Sequence, residues 1–203
     1  MKILITGFEP FGEYTENSSW VAAEEVAAQK YIGIDVAIEP MPVSFRHVAA
    51  TLRDAVDRHD PDLLIMLGQS GGSDKVRLER IAINMMDSKN ADNDGYIPDE
   101  ETIDAKKPPA LFTNTDIKSL YKAIEDAGVP VMISNTCGLY VCNRLYYEGL
   151  LLCNERPEMK TLFIHLPLYE GQKGNNHTLP IPSMVKAISI IIEKQSNDWH
   201  KRL

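Results

Sequence analysis

Short, fully apolar runs separated by helix-length amphipathic stretches restrict this chain more than any other feature. Residues 2–6 (Lys-Ile-Leu-Ile-Thr), 63–67 (Leu-Leu-Ile-Met-Leu) and 161–167 (Thr-Leu-Phe-Ile-His-Leu-Pro) do not alternate polar with apolar. A strand with one wet face must alternate, so these strands are buried on both faces. Helices are expected over 20–30 (capped by Ser18 or Ser19), 45–58 (capped by Ser44), to Ala127 (capped by Asn114 or Thr115), 141–154 and 181–194. Further strands are expected over 32–41, 76–85 and 129–134. In the 76–85 strand, Leu78, Arg80 and Ala82 share one face, and Glu79, Ile81 and Ile83 the other. This alternation predicts an α/β fold, one domain over residues 1–203, with a mostly parallel twisted sheet and helices on both faces.

Composition narrows the function. The 203 residues are 44% apolar and 25% charged, with a net charge of −8, which argues against a phosphate-binding surface and hence against nucleic acid. No stretch approaches the roughly 18 apolar residues of a membrane span. The first residues hold three consecutive apolar side chains, too few for a secretory segment. Three cysteines without a Cys-x-x-Cys pair predict neither a disulfide framework nor a zinc site. These features together predict a cytosolic protein with no metal.

In sheets of this kind ligands bind beyond the carboxyl ends of strands. Two loops lie there. Thr6-Gly-Phe-Glu-Pro-Phe-Gly12 has the wrong spacing for a dinucleotide fingerprint, and Phe8 and Phe11 either wall a compact apolar ligand or fold into the core. Gly68-Gln-Ser-Gly-Gly72 allows close backbone approach, and Gln69 offers a donor and an acceptor that match a cis-amide, unless the loop is only a turn. The polar stretch 87–109 is too long for a neutral connector, which makes it a candidate active-site or interface loop. Residues 165–178 form a second loop placed where a lid would sit.

Cys142 lies where the 129–134 strand gives way to a helix, and a thiol in a first helical turn is expected to favour thiolate. His165 ends the 161–167 run. If these two strands are neighbours, thiol and imidazole emerge at one edge as nucleophile and base. The ring needs a third group to hold it, and Glu79 is the candidate, unless it pairs structurally with Arg77 or Arg80. Cys153 reads as core packing, and Cys137 as a second thiol in the turn outside the helix start. His47, His59, His177 and His200 have no cysteine partner suggested by their placement.

Six separated motifs then resemble one family, the type I pyroglutamyl peptidases (pyrrolidone-carboxylate peptidases). They are the first loop, the Gly68 loop, Glu79-Arg-Ile-Ala-Ile-Asn84, Asp92-Asn-Asp-Gly95, Gly138-Leu-Tyr-Val-Cys-Asn143 and Phe163-Ile-His-Leu-Pro167. The resemblance covers residues 3–192. It implies removal of N-terminal pyroglutamate (5-oxoproline) from peptides by a Cys142–His165–Glu79 triad without a cofactor. It also implies Phe8, Phe11, Gln69, Tyr140, Val141 and Lys89 as substrate-binding residues, and a cytosolic homotetramer.

The chain departs from the family pattern at four places. Lys89 stands where an arginine near the scissile carbonyl is usual, and Cys137-Gly-Leu-Tyr140 where Ala-Gly-x-Phe is usual. Val43 replaces a common threonine, and Arg144 a frequent histidine. Two alternatives follow from the residues: a catalytically impaired lactam-binding homologue, or a cofactor-free hydrolase of another small acyl amide.

Overall fold

The computed structural model describes residues 1–172 and 177–200; part of the expected 165–178 loop, residues 173–176, lies outside them. The element order is β1 (Lys2–Phe8), α1 (Ser18–Ala27), β2 (Asp35–Met41), α2 (Val48–His59), β3 (Leu63–Gln69), β4 (Val76–Glu79) and β5 (Ile81–Ile83). It continues through β6 (Ala110–Phe112), α3 (Ile117–Asp126), β7 (Val131–Ser134), α4 (Val141–Glu155), β8 (Lys160–Leu166) and α5 (Ile181–His200). One α/β domain results. Its six-stranded sheet has the order β2-β1-β3-β8-β4-β7, and β5 and β6 form a separate antiparallel pair.

The apolar runs sit where their pattern requires. Alternate residues of β1, β3 and β8 feed two cores, one on each face of the sheet. Ile3, Ile5, Ile65, Leu67, Leu162 and Ile164 pack with α1, α3 and α5 residues such as Ala22, Leu120 and Ile188. Leu4, Leu64, Met66 and Phe163 pack with α2 and α4 residues such as Leu52, Leu145 and Tyr146.

Two features differ from expectation in ways that matter for the site. The strand expected over 76–85 breaks at Arg80: β4 joins the main sheet, whereas β5 leaves to pair with β6. Strands β7 and β8 are not neighbours, because β4 lies between them, parallel to β7 and antiparallel to β8. The other pairings, β1 with β2 and β3 and β3 with β8, are parallel, so the sheet is mostly parallel.

Helix starts shift for reasons visible in the hydrogen bonds. Asn17, not Ser18 or Ser19, caps α1 by accepting from Ser19 N–H, because the Ser19 hydroxyl oxygen accepts the Phe8 N–H at 2.9 Å. Asp116 caps α3, since the Asn114 side chain bonds Met159 O and Thr161 N instead. Ser44 precedes α2 by a turn and receives the His47 N–H on its hydroxyl.

Candidate active site

The parallel register of β3 and β8 places the loops after them at one edge of the sheet, beside the first loop, which follows β1. Within β8, His165 stands opposite Gly68 of β3 and opposite Arg77 of β4; Glu79 stands opposite Phe163. Residues two apart share a face, so Glu79 is the diagonal neighbour of His165. The result is a buried hydrogen bond of 2.8 Å between His165 Nδ1 and Glu79 Oε1. Arg77 Nε lies 3.4 Å from the same carboxylate oxygen. Glu79 therefore contacts both the imidazole and a cation, and the cation is Arg77 and not Arg80.

Cys142 reaches this place by a return path. Strand β7 descends beside β4 to Ser134, level with Glu79, and residues 135–140 climb back to the start of α4. Arg77 staples that return: its guanidinium donates to Ser134 Oγ at 3.0 Å and Thr136 O at 3.1 Å. Asn143, fully buried, fastens the first turn of α4 to β5 by donating to Ile83 O and Met85 O and accepting the Ile83 N–H. The sequence offered Arg77 only as an ion-pair partner of Glu79, not as a staple for this return, and it gave Asn143 no role of its own beyond standing next to the cysteine.

The absent side chain at Gly68 makes room for the thiol. A Cβ there would lie 3.1 Å from Cys142 Sγ and 2.8 Å from Phe163 Cζ. The Phe163 ring in turn meets the His165 ring edge-on, with centroids 4.9 Å apart. Gly68→Ala is expected to shift both rings and the sulfur by tenths of an ångström or more, cutting turnover roughly 100-fold. The overpacking costs about 1–3 kcal/mol of stability. Steady-state kinetics and a thermal melt on the same sample check both.

Cys142, His165, Gln69, Val141, Phe8, Phe11, Val43, Arg77 and Tyr140 line one cavity of about 270 Å³. Phe8 is buried in the core beneath it, whereas Phe11 and Tyr140 form its upper wall, their ring centroids 6.4 Å apart. Tyr140 also meets Phe45 edge-on at 5.2 Å. Its hydroxyl donates to Ala91 O at 2.9 Å, so the oxygen that distinguishes it from phenylalanine ties down the 87–109 stretch. That stretch is further sewn in place: Asp92 accepts the N–H groups of Phe45, Asp94 and Tyr96, and Asn93 donates to Glu9 and Pro10.

Lys89 is exposed and does not line the cavity. The structure therefore does not bring Lys89 to the cavity with Cys142 and His165; next to it, Ser88 N–H bonds Pro98 O and Ser88 Oγ bonds the Asn90 backbone. Arg144 faces Glu148 at 2.9 Å along α4.

The expected lowering of the Cys142 pKa does not hold. Burial pushes the thiol up to about 12, and the Glu79 charge acts in the same direction; only its own backbone N–H pulls it down. Burial and the Glu79 charge both favour the neutral thiol over the thiolate. Cys137, also in the cavity wall, is pushed well above the ordinary thiol range by burial first and by Cys142 second. Alkylation of Cys142 by iodoacetamide is expected to rise about tenfold per pH unit between pH 7 and 10. A plateau below pH 8 would mean a thiolate at rest.

A sequence profile described as Pyroglutamyl peptidase matches residues 1–196. The pyrrolidone-carboxylate peptidase of Thermococcus onnurineus is 40% identical over 199 residues, covering 95% of this chain and 98% of that protein. The chain belongs to the pyroglutamyl peptidase family. The Bacillus subtilis member is 36% identical over 194 residues, covering 93% of this chain and 89% of its own length. Structures agree. The pyrrolidone carboxyl peptidase of Thermococcus litoralis superposes with a TM-score of 0.93 at 28% identity, covering 100% of this chain and 96% of that one. Pyroglutamyl peptidase I of Bacillus amyloliquefaciens gives 0.88 at 34% identity, covering 93% and 91%. Family members with these names share the whole sheet and not only the motifs around the cavity.

Proposed function

We propose that this chain is a cysteine peptidase that removes N-terminal pyroglutamate from peptides through Cys142, His165 and Glu79. The observation that carries the reading is the 2.8 Å bond between Glu79 and His165 in the wall of a small cavity that also holds Cys142. Membership of the family supplies the substrate class.

Pyroglutamate enters between Phe11, Tyr140, Val43 and Val141, above Phe8. Its lactam is compact and uncharged, so apolar walls suit it and the ring amide must find partners. Glu79 accepts the Nδ1–H of His165, leaving Nε2 as the base. As the sulfur attacks the carbonyl joining pyroglutamate to the next residue, Nε2 takes the thiol proton and an S–C bond forms. The oxyanion meets N–H groups at the start of α4, a contribution of about 3 kcal/mol per donor. The C–N bond then breaks, and Nε2 gives its proton to the leaving amine. Water loses a proton to His165 and attacks the thioester, which releases 5-oxoproline and restores the thiol.

The reading extends to a cytosolic homo-oligomer, a tetramer by resemblance, whose mass sedimentation would give. No helix among the described residues is long and apolar enough to cross a membrane.

Chromophore release from a pyroglutamyl amide, lost on blocking the thiol, tests the reaction. A prolyl amide, which lacks the ring carbonyl, is expected to be cleaved at least ~10⁴-fold less efficiently, since it leaves a buried polar group unpaired. Equal cleavage of the two, or no release from the pyroglutamyl amide, overturns the proposal.

A further inference from the structure

The carboxamide of Gln69 is held in one of its two orientations by a relay that begins outside the cavity. Tyr169 N–H, which can only donate, bonds Gln172 Oε1 at 3.0 Å. This fixes which end of the Gln172 amide is oxygen. Its Nε2 therefore points the other way, to Gln69 Oε1 at 2.9 Å and to Glu16 O at 3.1 Å. The backbone N–H of Ser18, a second obligate donor, reaches the same Gln69 oxygen at 2.8 Å. With two donors on Oε1, the other end of the amide must be the N–H₂ group. That Nε2 is buried and has no hydrogen-bond partner among the described residues, and Gln69 lines the cavity.

We infer that Gln172 is a specificity-setting positioning residue: by donating to Gln69 Oε1 it turns the Gln69 N–H₂ group into the cavity as a donor for a ring carbonyl. The inference rests on the reading of the cavity as a lactam site. It assigns the side-chain amide of Gln69 to the acceptor half of the ring amide, so a bound ring must carry a carbonyl oxygen there. A buried donor left without an acceptor costs more than a hydrogen bond contributes, which makes this one orientation a filter against rings that lack the oxygen. Without Gln172 the oxygen keeps only one donor, and the amide is freer to turn away. The relay crosses from the loop after β8 to the residues that precede α1.

The test is a series at position 172 in the full chain, read by kinetics on a pyroglutamyl amide and by competitive inhibition with 2-pyrrolidinone, the bare lactam ring. Gln172→Leu removes the donor; KM and the inhibition constant are expected to rise about tenfold, with kcat within about twofold, as for loss of one hydrogen bond made equally in ground and transition states. Gln172→Lys retains a donor and is expected to stay within about threefold of the parent. Gln172→Glu is the closest in shape but presents an acceptor to an acceptor, and is expected to be the weakest binder. A merely structural role would order the variants by shape, with glutamate best. Should the leucine variant fail to fold, the lysine and glutamate variants decide by themselves. Glutamate equal to or better than lysine, or a flat series, overturns the inference while leaving the peptidase reading intact. A parent protein that neither cleaves the amide nor binds the ring overturns both.

Discussion

Cys142→Ala is expected to leave a folded protein that binds the lactam ring and does not turn over. The loss should be on the order of 10⁴-fold or more, because residues that act as a unit lose nearly everything when one is removed. Binding should survive, since in the proposed reading the ring is held by Phe11, Tyr140, Val43 and Gln69, which line the same cavity. Stability should change by about 1 kcal/mol, the scale of a small buried truncation. Cys142→Ser is the sharper version: the hydroxyl fits the space above Gly68 that the thiol occupies but is a far weaker nucleophile at neutral pH. Activity comparable to the parent in either variant would remove Cys142 from the reaction. Inhibition by 2-pyrrolidinone is measured on the parent, and direct binding of the ring on the variants by calorimetry.

Glu79→Gln is expected to move two readouts in opposite directions. Turnover should fall roughly 10³–10⁴-fold, because an amide in place of the carboxylate no longer holds the imidazole in the Nδ1–H form or stabilises its protonated state. Labelling of Cys142 at a fixed pH should instead become faster. The Glu79 charge is one of the two causes that hold the thiol high, and removing it lowers the thiol toward ordinary values. A general loosening of the site would slow both chemistries or speed both; only loss of the charge separates them. The substitution also leaves the Arg77 guanidinium, 3.4 Å away, without its counter-charge. Arg77 keeps its bonds to Ser134 and Thr136 and is partly open to solvent, so the stability cost should be about 2 kcal/mol, below that of a fully buried pair. A variant with unchanged turnover would sink the assignment of Glu79.

Much of this arrangement was legible in the chain itself, and what was not follows a physical rule. The runs at β1, β3 and β8 carry their burial in their composition, so the centre of the sheet needed no partner information. Cys142 and His165 could be found because each ends or begins an element, and element ends are local. Strand order is not local: nothing in residues 76–79 says that they slip between β8 and β7, and that insertion is what makes Glu79 a neighbour of His165. The expected adjacency of the β7 and β8 strands failed for this reason. Asn143, Gln172 and the contacts of Arg77 with Ser134 and Thr136 were missed likewise, since each depends on groups 57 or more residues away in sequence. Caps went astray where several cap-forming residues stand in a row. At Asn114-Thr115-Asp116 the cap fell to Asp116, because the Asn114 side chain serves Met159 and Thr161. At Asn17-Ser18-Ser19 it fell to Asn17, whose side-chain oxygen accepts from Ser19 while its amide donates to Glu9 O. Lys89 shows the converse case, a position carried over from the motif resemblance that is exposed and does not line the cavity.

The interposed strand β4 has a consequence for how the protein matures. Acid, imidazole and sulfur are delivered by segments as much as 86 residues apart, and no short-range turn can assemble them. If these three groups are the reacting ones, as proposed, the chain carries an isolated thiol until those segments have come together, and hydrolytic competence follows only then. Counting competent centres with a mechanism-based inactivator should therefore count completed molecules, giving a direct measure of the native fraction in any preparation.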